Sequence, residues 1–324
     1  MTTFKEIRGT AIESVSTDPT NPETGQIWYN NTIGVLKGYD LTLAAWAAGG
    51  NLGTARYYFA GAGTQTAGLA FGGFIPPNSN ATEEYDGSAW TAGGNLTTAR
   101  QGIAGAGTQT AGLAFGGFDP IAMSAATEEY NGSTWGPGGN MGTARYGSGG
   151  AGTQTAGLGF GGRLPTPGAV TNVTEEYDGS VWTGGGNMAT ARRLLGGCGI
   201  QTAGLAFGGF DGTNSLNSTE EYDGSAWTAG GNLNTTRNAL GSAGTQTAAL
   251  GFGGQAPPVD SNATEEYNGS AWTNSTNMTT ARRGLAGCGT QTSGLGFGGK
   301  IVSVTAATEE YTGAFLSTKK ITTS

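Results

Sequence analysis

Six Glu-Glu pairs (Glu83-Glu84, Glu128-Glu129, Glu175-Glu176, Glu220-Glu221, Glu265-Glu266 and Glu309-Glu310) and six arginines (Arg56, Arg100, Arg145, Arg192, Arg237 and Arg282) recur along this chain. Two carboxylates flanking one bond would suit a glycosidase. Adjacent residues of a strand point to opposite faces, so a Glu-Glu pair cannot act on one bond together. Recurrence beside an equally recurrent arginine points instead to a repeated ion pair between strands, in which one Glu of each pair meets an Arg. A partly buried charge requires such a partner. Arg193 and Arg283 stand outside the repeat and are candidates for ligand contacts.

Other chemistries find few residues to use. The sequence contains no histidine, so a Ser-His-Asp triad and the usual zinc sites have no ligand or base. Gly61-Ala62-Gly63 and Gly184-Gly185-Gly186 lack the strand, helix and acidic residue of a dinucleotide fingerprint. Cys198 and Cys288 take the place that Ala62, Ala106, Ala151 and Ala243 hold in other copies. A whole repeat unit separates them, which exceeds the Cα distance of about 7 Å that a disulfide tolerates, so free thiols are expected. A net charge of −8 with scattered basic residues offers no stripe for phosphates, and nucleic acid is not an expected partner. No apolar run approaches the roughly 20 residues of a membrane helix. The opening Met1-Thr-Thr-Phe-Lys-Glu-Ile-Arg8 has no apolar segment behind it, so the expectation is a soluble chain without membrane insertion or secretion signal. Asn-X-Ser/Thr triplets such as Asn80-Ala-Thr82 then read as turn chemistry. The expected protein has no enzymatic activity, cofactor or metal.

The elements that must position these residues repeat as well. From Trp46 through Trp90, Trp135, Trp182, Trp227 and Trp272 the steps are 44, 45, 47, 45 and 45 residues, the period of a sheet-sized repeat. One unit divides into a small-residue strand Gln101–Ala106, a second strand Ala111–Phe115 stopped by Gly116-Gly117, a third strand Ala126–Tyr130, and a fourth carrying Trp135. Asn131-Gly132, Asp-Gly in other copies, is a favoured two-residue hairpin turn between the last two strands.

Taken in order, the Arg, the small-residue strand, the Gly-Gly doublet, the Tyr-Asp-Gly turn and the Trp resemble the kelch repeat of β-propellers across residues 46–316. The resemblance implies an all-β, six-bladed kelch-like β-propeller (residues 46–324) preceded by an N-terminal extension with a short β-hairpin (residues 1–45). The absence of histidine excludes the copper site of kelch-type galactose oxidases. The last repeat lacks its Trp, and residue 316 is Leu where that Trp is due. A strand from the N-terminal side is the favoured closure. Phe315–Thr323 is the alternative, and a partial seventh blade also stays open. Closure matters because it leaves only short edges exposed.

All length variation falls between the Gly-Gly doublet and the Thr before Glu-Glu. There lie Phe74–Ala81, Phe118–Ala126, Arg163–Val173, Phe210–Ser218, Gln255–Ala263 and Lys300–Ala307, of 8, 9, 11, 9, 9 and 8 residues. These loops emerge on the same face as the connections between units, while the tight Gly-Thr-Gln-Thr and Asp-Gly-Ser turns occupy the other. Variable loops on a constant scaffold are a common binding surface. The candidate contacts are Phe74, Phe118, Asp119, Arg163, Leu164, Pro165, Phe210, Asp211, Gln255 and Lys300.

Residues 21–39 read as a hairpin, Gln26–Asn30 against Val35–Tyr39. This Gly-Gln-Ile-Trp-Tyr-Asn…Leu-Lys-Gly-Tyr pattern resembles hairpins of tail and appendage proteins of tailed bacteriophages, and the low-charge Gly/Thr/Ala-rich repeats resemble those of marine, cyanophage-like virion proteins. The resemblance implies a virion structural protein, assembled in the host cytoplasm. Its expected partners are other virion proteins through the N-terminal extension, host-surface glycan through the variable loops, and further copies of itself. The alternatives are a capsid-surface decoration protein and an intracellular kelch-type adaptor.

Overall fold

The computed structural model describes residues 12–321. The expectations for residues 1–11 and 322–324 lie outside the described residues. Those described form strands and turns without a helix. They divide into two compact units, Ala45–Thr312 and a second made of Met1–Ala44 with Gly313–Ser324.

The larger unit contains six four-stranded antiparallel sheets in a propeller-like, all-β arrangement. The first runs Ala60–Thr64, Ala67–Phe71, Thr82–Tyr85 and Trp90–Ala92. Sheets two to five repeat this order, beginning at Ala104, Gly149, Gly196 and Gly241. The sixth uses Ala286–Gly289, Ser293–Phe297 and Thr308–Thr312, and takes its fourth strand from Ala45–Ala48, with Trp46 opposite Tyr311. The N-terminal side therefore supplies the missing Trp. Phe315–Lys320 pairs with Val35–Thr42 instead. Residues 313–321, which the repeats assigned to the propeller region 46–324, consequently belong with the smaller unit.

Each strand's residues explain its place. The second strand, Gly-Leu-Ala-Phe in sheets one, two and four, is buried on both faces, as a strand between layers must be. The first strands adjoin from sheet to sheet so closely that a Cβ on Gly150 would lie 2.6 Å from the Gly105 carbonyl oxygen. The second-strand Phe of each sheet packs on the Trp of the next: Phe71–Trp135, Phe115–Trp182, Phe160–Trp227, Phe207–Trp272, Phe252–Trp46 and Phe297–Trp90. Their centroids lie 4.7–5.1 Å apart. Such pairs contribute about 0.5–1.5 kcal/mol each beyond area burial. The series returns to the first sheet from the sixth, so no sheet in it lacks a neighbour.

Two local expectations change. The first strand of sheet two begins at Ala104 rather than Gln101, because Gly102 turns the chain at φ +57° and Gln101 bridges to Phe118 instead. The Asp-Gly hairpin is not a two-residue turn: Tyr85 pairs with Trp90, which leaves four residues between the strands. Gly87 alone has positive φ, while the Asp86 carboxylate accepts bonds from Ser88 N, Ser88 Oγ and Ala89 N, an Asx turn. These bonds, the one from Ala89 N foremost, hold Asp86 below the usual carboxylate range.

The smaller unit carries the sheet order Glu13–Val15, Ile27–Asn30, Val35–Thr42, Phe315–Lys320. Its first pair is parallel and the others antiparallel. The hairpin Ile27–Asn30 against Val35–Gly38 lies where the sequence places it. Asp18 ties it together, accepting from Lys37 Nζ at 2.5 Å, Asn30 Nδ2 at 2.9 Å and buried Trp28 Nε1 at 3.0 Å. These bonds, the one from Lys37 foremost, lower its pKa to about 2.

Candidate functional site

The recurrent Glu and Arg side chains bond within and between the sheets. Each repeat Arg is fully buried and pairs with the first Glu of its sheet: Arg56–Glu83, Arg100–Glu128, Arg145–Glu175, Arg237–Glu265 and Arg282–Glu309 at 2.7–3.0 Å, and Arg192–Glu220. The same guanidinium donates to the carbonyl that precedes the third strand, as Arg145 does to Val173 at 2.6 Å. The second Glu faces the neighbouring sheet and accepts from its tyrosine. Tyr85, Tyr130, Tyr177, Tyr222 and Tyr267 reach Glu310, Glu84, Glu129, Glu176 and Glu221 at 2.5–2.6 Å, and Tyr311 reaches Glu266. Burial first, and then the carboxylate partner, push the first five phenols up to about 12 and that of Tyr311 up as well.

Two further bonds recur between sheets. Each Trp Nε1 donates to the third-strand Thr of its neighbour, as Trp182 does to Thr127 at 2.9 Å. Each turn Gln donates to two carbonyls of the preceding sheet, as Gln109 does to Tyr85 and Gly68 at 2.7 and 3.1 Å. Trp90, Trp135, Trp227 and Trp272 make the same bond to Thr308, Thr82, Thr174 and Thr219. Both cysteines are free and buried on the first strands, where desolvation pushes their pKa to about 12. The thiolate, the nucleophilic form, is therefore suppressed.

A different set of residues gathers on the variable-loop face. Two positions behind the repeat arginine, Tyr58, Gly102, Gly147, Leu194, Ala239 and Gly284 all have φ of 52–66°. Their backbones form a closed ring: each N–H donates to the carbonyl of the equivalent residue in the preceding sheet at 2.6–2.8 Å, and Tyr58 completes it on Gly284. The residue immediately behind each arginine bridges to the first residue of its sheet's variable loop. The pairs are Tyr57–Phe74, Gln101–Phe118, Tyr146–Arg163, Arg193–Phe210, Asn238–Gln255 and Arg283–Lys300. A rim of residues paired through their backbones thus surrounds the ring.

The rim is aromatic and cationic. Tyr57 and Tyr58 lie 4.8 Å apart, Tyr58 and Tyr146 6.3 Å, and Tyr57 meets Phe74 edge-on at 5.5 Å. The Arg193 guanidinium lies over Phe210 at 5.3 Å and Lys300 Nζ over Tyr57 at 5.4 Å. Arg283 pairs with Asp260 at 2.8 Å. Burial pushes the Tyr58 and Tyr146 phenols up. Between the second and third loops a groove of about 630 Å³ is lined by Gln101, Phe118, Tyr146, Arg163, Pro165 and Arg193, among others.

No protein-family model and no curated protein matches this chain.

The expected contact residues thus separate. Phe74, Phe118, Arg163, Phe210, Gln255 and Lys300 are the loop members of the six rim pairs, and Pro165 lines the groove. Asp119 and Asp211 are instead turned into their own loops. Asp119 accepts from Ile121 N and Ala122 N, and Asp211 from Thr213 N and Asn214 N, all at 2.7–2.8 Å. Leu164 is half-buried, with its N–H bonded to Ala169. Tyr57, Tyr58, Gln101 and Tyr146 escaped the sequence reading. Their signal is variability at one site of a constant frame: the residue behind the repeat Arg is Tyr, Gln, Tyr, Arg, Asn and Arg in successive copies.

Proposed function

We propose that the six sheets are the blades of a closed, kelch-like β-propeller. On this reading the chain is a non-enzymatic structural protein of a tailed-bacteriophage virion, tail-associated, which binds host-surface glycan or another virion protein through its variable loops. The closed backbone ring and the Trp–Phe series that returns from the sixth sheet to the first support a six-bladed ring. The observation that carries the binding reading is the rim. Aromatic faces, amides and cations that no repeat explains converge on the one face whose loops vary in length. Binding surfaces combine aromatic area with a few placed polar groups in this way. The repeated carboxylates, by contrast, are committed to Arg and Tyr partners and leave no acid or base poised for turnover.

The test is binding of fluorescently labelled protein to intact bacterial cells, with and without periodate oxidation of surface sugars. Periodate-sensitive binding is expected. Binding that resists periodate points to a protein partner, and no binding to any host panel sinks the receptor reading.

A second reading, capsid-surface decoration, draws on the smaller unit. Leu41, Leu43, Phe315 and Leu316 are exposed there, an apolar set suited to docking on another virion protein. Co-sedimentation of the protein with tail-less capsids would favour it.

A further inference from the structure

Ten cations lie in Ala45–Thr312, and six of them are the buried repeat arginines. The other four, Arg163, Arg193, Arg283 and Lys300, all stand on the rim. Arg283 has its own carboxylate in Asp260. Arg163, Arg193 and Lys300 have no carboxylate within ion-pair distance among the described residues. The tyrosines divide in the same way. The six repeat tyrosines donate to carboxylates, whereas the hydroxyls of Tyr57, Tyr58 and Tyr146 have no protein partner among the described residues. In a protein of net charge −8, unpaired cations and free phenols on one rim are an anion-directed arrangement.

We propose that the groove between the variable loops of sheets two and three holds a saccharide bearing a carboxylate; this rests on the glycan-binding reading above and specifies its ligand. Arg163 and Arg193 flank the groove and supply planar guanidinium forks, which match a carboxylate bidentately. Phe118 and Tyr146 supply flat faces on which the C–H face of a sugar ring packs. Gln101 and the Tyr146 hydroxyl are free to bond ring hydroxyls. A volume of about 630 Å³ suits a short oligosaccharide. An extended acidic peptide fits less well, because strand addition needs an unpaired backbone edge. Here Phe118 is bridged on both sides, to Gln101 and Met123, and Arg163 likewise to Tyr146 and Val170.

The experiment titrates the whole protein by calorimetry with oligogalacturonate, size-matched dextran, dextran sulfate and poly-glutamate, and repeats each titration with Arg163→Gln, Arg193→Gln and Tyr146→Ala. Oligogalacturonate is expected to bind at least tenfold more tightly than dextran. Each arginine variant is expected to weaken that binding by about tenfold, the loss of one charge-assisted pair, with thermal stability unchanged. Equal binding of dextran, lost in Tyr146→Ala, overturns the acidic ligand while leaving the glycan reading intact. Equal or tighter binding of poly-glutamate or dextran sulfate overturns the carboxylated sugar in favour of an acidic peptide or a sulfated one. Binding of oligogalacturonate that survives both arginine changes places the ligand elsewhere and sinks the groove. Silence of every saccharide, together with periodate-resistant cell binding, defeats both readings at once.

Discussion

The repeated frame between the sheets and the rim around the backbone ring are built from the same residue types, and they use them in opposite ways. In the frame each Arg has a Glu, each Tyr hydroxyl has a carboxylate, and each Trp has a Thr. On the rim Arg193 lies over a ring, Arg163 has no carboxylate within ion-pair distance, and the hydroxyls of three tyrosines have no protein partner, all among the described residues. A side chain that recurs six times meets an equally recurrent partner, within its own sheet for Arg and on the sheet next door for Tyr and Trp. One that occurs once must find its partner outside the repeat. Substitutions in the frame should therefore be read as loss of stability, and substitutions on the rim as loss of binding.

The widest test acts on all the frame tyrosines together. Their folded-state pKa of about 12 lies above the unfolded value near 10. Between these values the unfolded chain releases protons that the folded one keeps, so stability is full below pH 10 and falls as pH rises towards 12. Tm measured from pH 8 to 12 should drop steeply over that window. A flat profile there would break the claim that burial, and then the carboxylate neighbours, hold these phenols protonated.

Removing one frame cation is the next largest effect. Arg237 and Glu265 are both fully buried, and Arg237→Ala strands a carboxylate away from water. The expected cost is about 3–5 kcal/mol, read by urea unfolding. Cutting one inter-sheet strut should cost less. Gln109→Ala leaves two backbone carbonyls of the neighbouring sheet short of a donor, for about 1–3 kcal/mol. Were Gln109→Ala to cost more than Arg237→Ala, the bonds between sheets would outrank those within them.

The frame was legible in the sequence because its physics is periodic. Glu-Glu on a strand forces one carboxylate inward to the Arg, and Trp46, ahead of Arg56 with no unit of its own, favoured an N-terminal strand as the closure of the last sheet, where the structure sets it opposite Tyr311. The fate of the second Glu was not legible. Its Tyr partner lies about one repeat away, Tyr130 on Glu84 for example, and only the stacking of sheets brings the two together. The rim was half legible. Loop length pointed to Phe118, Arg163 and Phe210, but Tyr146 and Gln101 sit in what reads as a strand start. The left-handed turn at Gly102 and Gly147, set by the backbone ring, lifts them onto the face. The turn role of Asp119 and Asp211 was not legible either, because an Asp opening a loop serves its own backbone as readily as a ligand.

The smallest stability change is expected where the largest binding change is. The long third loop is not uniformly dispensable. Thr171 is buried, Asn172 bonds the Met188 carbonyl, and Val173 accepts from Arg145. Thr166–Gly168 is exposed, and its one backbone bond outward is Ala169 N to Thr166 O, local to the turn. Deleting those residues brings the loop to the eight-residue length of its shortest siblings while sparing Arg163 and the Thr171–Val173 anchor. Stability should shift by no more than about 0.5 kcal/mol, as for other surface changes, while cell binding falls because Pro165 no longer walls the groove. A deletion that unfolds the protein would make this loop part of the frame, and one that leaves binding untouched would move the contact surface to another pair of loops.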